Sequence, residues 1–561
     1  MKLSRGRGLV LVLASLALVA GACSSSKKSG SSGGATSTTI APKQGGDLVV
    51  SAEQEPDCMD WIGSCAGAAW GTYTVGANTM PKAYVWTSDS KYVPGDILSG
   101  PATVTTSPNQ VVTYHINPNA VWSDGTPITS ADFAYTWDQI ANGKDIYDTT
   151  GYANISGVAT PDPQTAVATF KTPFANWYQL FGGFYGVFPS HILKGQDRDA
   201  AMKNGYTWSG GPWMMDHWTK GVEIKLVPNP KYWGQKPYLN SMTFKFITDT
   251  AAETQAVKTG QVSAAYPQAS PGQPALKGLP GISFDAISGL SFEALWFQNA
   301  KPPLDNQSVR QALAYATDRN AIVTTLFGPT QPGIQPIQSF ATPAFGAAYT
   351  TAFSKYSQNL PMVNTLMTGA GYAKDSSGIW AKGGQEVTLE LKTTSGNKRR
   401  ALTAQILQSQ WQGAGFKLNI VTEKAGVLFG QDGPSGNFQI ALFAQTPNDG
   451  DASSAGGCVI FCSKNIPGPS NGNNGQNWYH YSNPAVDTAF TTVDTSTDQS
   501  ARLSANTQGQ TALADTVGSL PVDPFPDIVV VNTNVVASTT GQFLHNFVYG
   551  PFYYANTWFL K

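Results

Sequence analysis

The chain has 561 residues, of which 13% are charged and 11% aromatic, with 57 Gly, 36 Pro and five Cys. Six basic residues and no acid precede residue 47, so the rest sets 29 basic against 36 acidic residues, a net charge of −7. No basic patch or arm argues for a nucleic-acid partner, and the length exceeds the ~250–300 residues at which one core stops growing, so two or more domains are expected.

The chain opens with Lys2, Arg5 and Arg7, an apolar run from Leu9 to Ala20, and the small residues Gly21 and Ala22. That pattern describes a secretory signal peptide over 1–22, and its apolar run falls short of the roughly 20 residues that span a bilayer. Cys23, directly after Ala20-Gly21-Ala22, has the setting of a bacterial lipobox, in which the cysteine is lipidated, as with palmitate, and becomes the mature N-terminus. The competing reading is an ordinary signal peptide with an incidental cysteine. Ser, Gly, Thr and Lys fill the chain up to Gly46, too little apolar surface to offset ordering entropy, so 23–46 reads as a flexible tether. An exported protein is expected, held at the outer face of the cytoplasmic membrane by its lipid anchor only.

Four cysteines follow: Cys58, Cys65, Cys458 and Cys462. An even count in an exported chain favours disulfides over a metal site, since no His lies near either pair. Three connectivities are open, and the two local pairs are the simplest.

Val112, Tyr114 and Ile116 alternate with polar residues as a half-buried strand. Ser123-Asp124-Gly125 then supplies a turn, and Thr129 or Ser130 caps a helix carrying Phe133 and Trp137 on one face. Glu223 to Val227 alternates as a strand that Pro228 and Pro230 end. Asn306 or Ser308 caps a helix with Val309, Leu313 and Ala316 as its buried stripe, and Asp318 caps the next. Val387, Leu389 and Leu391 make a strand, and Arg399 to Gln412 a helix with Leu402, Ile406 and Leu407 inward, closed by Gly413 and Gly415. Phe416, Leu418 and Ile420 make a second strand. This βαβ unit and a further strand over 438–444 indicate an open α/β domain.

Catalytic patterns are weak. The five histidines form no close ligand pair, and no P-loop or dinucleotide fingerprint occurs, so no cofactor or metal is indicated. One GxSxG, Gly468 to Gly472 around Ser470, lies between Pro467 and Asn473, in loop on both sides, where a nucleophile elbow needs a strand and a helix. A secreted carbohydrate-active hydrolase stays open as the alternative, because any two carboxylates can meet in space.

Several runs, in order, carry a family resemblance: VWSDGTPITSADFAYTW from Val121, GGPW from Gly210, VEIKLVPNPKYWG from Val222, TQAVKTGQVS from Thr254, PPLDNQSVRQALAYATDR from Pro302, and NWYHYSNPAVD from Asn477. Together they resemble the family 5 extracytoplasmic solute-binding proteins of ABC importers, which carry oligopeptides, dipeptides or nickel. Ser263 stands where the family has an acid. The resemblance implies a non-enzymatic, monomeric, lipid-anchored receptor that captures short peptides and hands them to permease subunits. It implies the α/β, type II periplasmic-binding-protein-like fold, two α/β lobes plus an extra domain around a hinged ligand cleft. The divisions expected are lobe I over 47–80, 206–297 and 524–561, an inserted domain over 81–205, and lobe III over 298–523. In peptide-binding members an acid in a late loop pairs with the peptide's α-ammonium; here that loop offers Asp449, Asp451 and Asn448, although Ala452 replaces the family's Pro. Trp70 and Phe292 are candidate cleft walls by position, with core packing as the competing reading. The same fold also suits a non-peptide solute such as a sugar, haem or a metal chelate.

Overall fold

The computed structural model describes residues 41–66, 69–329, 331–445 and 457–561. Cys23 and the loop candidates Asn448, Asp449 and Asp451 lie outside the described residues.

A ten-stranded sheet organises the body. Its strands are β1 (Asp47–Ala52), β2 (Trp213–Thr219), β3 (Glu223–Pro228), β4 (Ser241–Phe246), β5 (Ala264–Ala265), β6 (Ile282–Phe297), β7 (Thr388–Thr394), β8 (Lys417–Glu423), β9 (Ile440–Gln445) and β10 (Leu520–Asn532). They lie in the order β8-β7-β9-β6-β10-β5-β1-β4-β3-β2. The expected βαβ unit is present: β7 and β8 pair in parallel around helix Lys398–Ala414, which ends on Gly415 at φ 99°. β6 and β10 are long and antiparallel, and they pair near the middle of the strand order.

The stretch from Val121 folds as its residues dictate. Gly125 takes φ 92° in the turn, and Thr129 caps the helix Ser130–Ala141. Asp132 ties the unit together, accepting from the Thr129 N–H (2.9 Å), the Trp122 indole (3.3 Å) and the Ser190 N–H (2.8 Å). This helix packs on a four-stranded antiparallel sheet made by residues 103–105, 111–115, 155–162 and 165–170. The helices Gln307–Ala316 and Arg319–Phe327 start on Asn306 and Asp318, whose carbonyl and carboxylate oxygens accept backbone N–H bonds.

Two main hydrophobic cores result. The first is built from residues between Ala256 and Val530, including Trp296, Leu391, Trp411, Leu442 and Phe490. The second joins residues near both ends of the body, including Val50, Trp61, Tyr114, Trp213 and Trp558. Beneath the first core, helix Lys398–Ala414 departs from expectation: Leu402 and Ile406 are only half-buried, while Arg399, Arg400, Thr403, Leu407 and Trp411 turn inward. Buried acids on β6 and β10 draw the two arginines in, which rotates the stripe.

Candidate functional site

Where the two long strands cross between the cores, their register slips between Ser288 and Phe292 and again after Glu293. Gly289 permits this, since a Cβ there would sit 2.6 Å from the Phe525 carbonyl oxygen. A cavity of about 160 Å³ opens at this slip. Trp61, Trp70 and Tyr185 wall it from the second core, Phe443 and Trp478 from the first, and Phe292 and Phe525 from the strands. Among the described residues, thirteen of its 27 lining residues are aromatic and two, Arg400 and Asp527, are charged, with amides and hydroxyls between them, so the site suits apolar groups oriented by a few polar contacts.

Trp70 and Phe292 both stand on this wall and both also pack: Trp70 lies 5.9 Å from the Tyr73 ring, and Phe292 6.3 Å from that of Trp296. The disulfides are the two local pairs, Cys58–Cys65 and Cys458–Cys462, with Cα separations of 5.9 and 4.6 Å. Each pins a cavity wall, because Trp61 lies inside the first loop and Val459 and Ile460 inside the second. The lining also takes Ala444 and Gln445, at the end of β9. Ser470 is exposed in a short 3-10 turn, Pro469–Asn471, that follows no strand.

The charges under the cavity form one buried network. Arg400 donates from Nε to Glu293 (2.7 Å) and from Nη1 to Thr394 (2.8 Å). Arg399 pairs with Glu293 and, at 3.4 Å, with Asp523. Glu293 and Asp523 face each other across β6 and β10, a like-charge pair that the guanidiniums offset. Burial works against ionising Glu293, yet the two arginines hold it below the usual carboxylate range. For Asp523 burial wins and pushes the carboxyl up to about 7 despite Arg399. Burial likewise raises Glu53 to about 7, against the Gln268 N–H bond and the arginines, and raises Glu253 with help from the charge of Glu53. On the other side Asp527 accepts from the Tyr266 hydroxyl (3.0 Å) and pairs with His545 (2.8 Å). Burial opposes the His545 charge, but Asp527 and Asp285 outweigh it and raise its pKa.

Contacts between the cores surround the cavity. The loop 472–475 grips residues 143–146: the Asp145 N–H donates to the Gly472 carbonyl (3.0 Å) and the Gly475 N–H to that of Ile146 (3.2 Å). Asn474 accepts from the Ile146 N–H (2.8 Å) and donates to the Gly143 carbonyl (3.2 Å). The Tyr147 and Trp478 rings meet at 6.1 Å, and Arg502 donates to Asn176.

Sequence reasoning missed Arg400 and Asp527 as cavity charges, Trp61 and Trp478 as walls, and the clasp at Asn474. The Arg399-Arg400 pair was one signal, since two adjacent cations at a helix start oppose the dipole and need acids nearby.

Among the described residues no helix is long and apolar enough to cross a membrane, and no group of three or more His, Cys, Asp or Glu could hold a metal ion. A family model described as bacterial extracellular solute-binding proteins, family 5 Middle, matches residues 99–464. The oligopeptide-binding protein OppA of Lactococcus lactis subsp. lactis is 27% identical over 364 residues, 56% of this chain and 59% of that protein's length. The oligopeptide-binding protein AppA of Bacillus subtilis, in complex with a nonapeptide, superposes with TM-score 0.81 at 19% identity, over 93% of this chain and 100% of that one. The periplasmic EDTA-binding protein EppA superposes with TM-score 0.78 at 21% identity, over 94% and 98%. These structures share the α/β fold of the present chain.

Proposed function

Because the chain belongs to the bacterial extracellular solute-binding proteins of family 5, we propose that it is the receptor of an ABC importer, closing over a short peptide and presenting it to permease subunits. One observation carries this reading: a cavity between two cores, walled by aromatics from both, at the slip between the two long strands near the middle of the sheet. Strands in that position act as a hinge, and a ligand touching both walls binds the closed form better, which is how binding drives closure. Aromatic walls interrupted by amides and hydroxyls accept varied side chains, and Arg400 offers a guanidinium to a peptide carbonyl or carboxylate. The α-ammonium partner is assigned to 448–451, with Asp449, Asp451 or Asn448 as the acceptor. The relatives named for oligopeptide binding support the peptide assignment.

The same reading makes Cys23 a lipid-anchor site behind a cleaved signal peptide, treats the protein as a monomer, and gives it no catalytic role. Lobe I over 47–80, 206–297 and 524–561, the inserted domain over 81–205 and lobe III over 298–523 are the proposed moving parts. The second core draws on both ends of the body, which supports a lobe I made of separated segments, and the same core continues into the inserted domain. The test is native mass spectrometry of the purified protein, followed by thermal unfolding with pools of di- to pentapeptides. Co-purifying peptide and a peptide-dependent rise in Tm are expected. No response to peptides, together with a clear response to a sugar or a metal chelate, overturns the peptide assignment.

A further inference from the structure

A smaller cavity, of about 40 Å³, opens beside the main one and shares Phe184, Tyr185 and Val459 with it. Its charged lining is two acids, Asp148 and Asp494, from opposite sides. Asp148 lies between Ile146 and Tyr152 of the second core, whereas Asp494 follows Phe490 and Val493 of the first. Asp148 accepts the Thr150 N–H at 2.8 Å. Asp494 is 8% exposed, and its buried Oδ2 has no hydrogen-bond partner. Buried carboxylates are otherwise paired, so an orphaned oxygen facing a cavity calls for an explanation. The position is also unfavourable for its own helix, Pro484–Thr495, since an acid in the last turn meets the negative end of the dipole.

Two cations lie in the neighbourhood. Arg502 donates from Nε to the Val493 carbonyl (2.9 Å) and from Nη2 to Asn176, and Lys464 is exposed. Burial, helped by the charge of Asp148, pushes Asp494 up to about 7 against the pull of both cations.

We propose that this side cavity is the subsite for a basic side chain of the bound solute, a lysine ammonium or arginine guanidinium held between Asp148 and Asp494. The proposal rests on the receptor reading above and narrows its ligand to peptides carrying a basic residue beside apolar or aromatic ones. Closure brings the two acids together from opposite cores, where burial and the neighbouring Asp148 keep a proton on Asp494, and a cation placed between them draws that proton off and pairs with both carboxylates. The basic side chain then supplies part of the differential affinity that favours closure.

The test uses the full chain and two tripeptides, Phe-Lys-Phe and its norleucine analogue, which differ in one charged group. Calorimetry at pH 7 is expected to give at least tenfold tighter binding of the lysine peptide. Its enthalpy should depend on buffer ionisation, because Asp494 sheds its proton on binding. Asp494→Asn is expected to cut the preference below threefold and abolish the buffer dependence while the norleucine peptide binds as before. Should that variant fail to fold, Asp148→Asn serves the same comparison. Equal affinities in the wild type, or a preference that survives both substitutions, overturns the proposal. If neither peptide binds and the peptide pools give no response while a sugar or a metal chelate does, the peptide reading fails, and in either case n-butylammonium alone then decides the subsite. A rise in Tm in the wild type that is absent in Asp494→Asn, and absent with butanol, retains it; no rise overturns it.

Discussion

Replacing Asp523 by Asn tests whether burial or ion pairing governs the carboxyl network under the cavity. The side chain is fully buried, faces Glu293 across the paired strands and lies 3.4 Å from Arg399. Its pKa is pushed from 3.8 up to about 7, so the folded protein holds a proton that the unfolded chain has already released. Between about pH 4 and pH 7, unfolding therefore releases that proton, and stability falls as pH rises. A gap of roughly 3 pH units at about 1.4 kcal/mol each sets a ceiling of ~4 kcal/mol above pH 7. The gain on substitution is smaller, because Arg399 keeps only Glu293 close by and Glu53 takes up part of the negative charge. Urea unfolding followed by tryptophan fluorescence should show Asp523→Asn about as stable as wild type near pH 4. At pH 8 the variant should be ~1–3 kcal/mol more stable. A variant less stable than wild type at pH 8 would refute the reasoning, since Asp523 would then be an ionised counter-ion that Arg399 requires.

Asn474→Ala removes two hydrogen bonds of the clasp to 143–146, so peptide binding should weaken by about three- to tenfold with ligand-free Tm unchanged, read by calorimetry and thermal unfolding. An equal loss of ligand-free stability would mean the clasp is a permanent joint. Trp70→Ala should cost about 3–5 kcal/mol of fold stability through its contacts with Tyr73 and Tyr266, and lower peptide affinity at least tenfold. Affinity left intact at that cost would remove Trp70 from the site and leave it as core. Replacing Cys58 and Cys65 by Ser opens a loop with a sequence separation of 7, worth about 2–3 kcal/mol by loop entropy, and the denaturation midpoint should fall accordingly.

The fold was largely legible where its causes are local. The turn at Gly125, the caps at Thr129, Asn306 and Asp318, and the βαβ unit each depend on residues within one or two turns of one another. The cavity depends on encounters between distant segments. Trp61, Trp70, Phe443 and Trp478 have no shared periodicity, and only the slip between β6 and β10 assembles them. Arg399 and Arg400 show the limit best. The leucines nearby suggested a different inward face, but Glu293, 106 positions from Arg399, offsets the charge of two buried guanidiniums and, with Asp523 in contact 124 positions away, sets the helix rotation. The candidate ammonium acceptors at 448–451 fall outside the described residues, and their role rests on the family pattern.

The second core gathers β1 and β4 with Val529, Val531, Phe552 and Trp558. During synthesis, those strands leave their apolar faces uncovered until residues 529–558 arrive, some hundreds of residues later. Half-made protein is therefore a sticky intermediate that needs holding in an extended state. The same delay has a benefit: the walls that meet at the cavity cannot form a complete trap before the whole body has been delivered. On the proposed receptor reading, capture of solute then begins only once the whole body is in place.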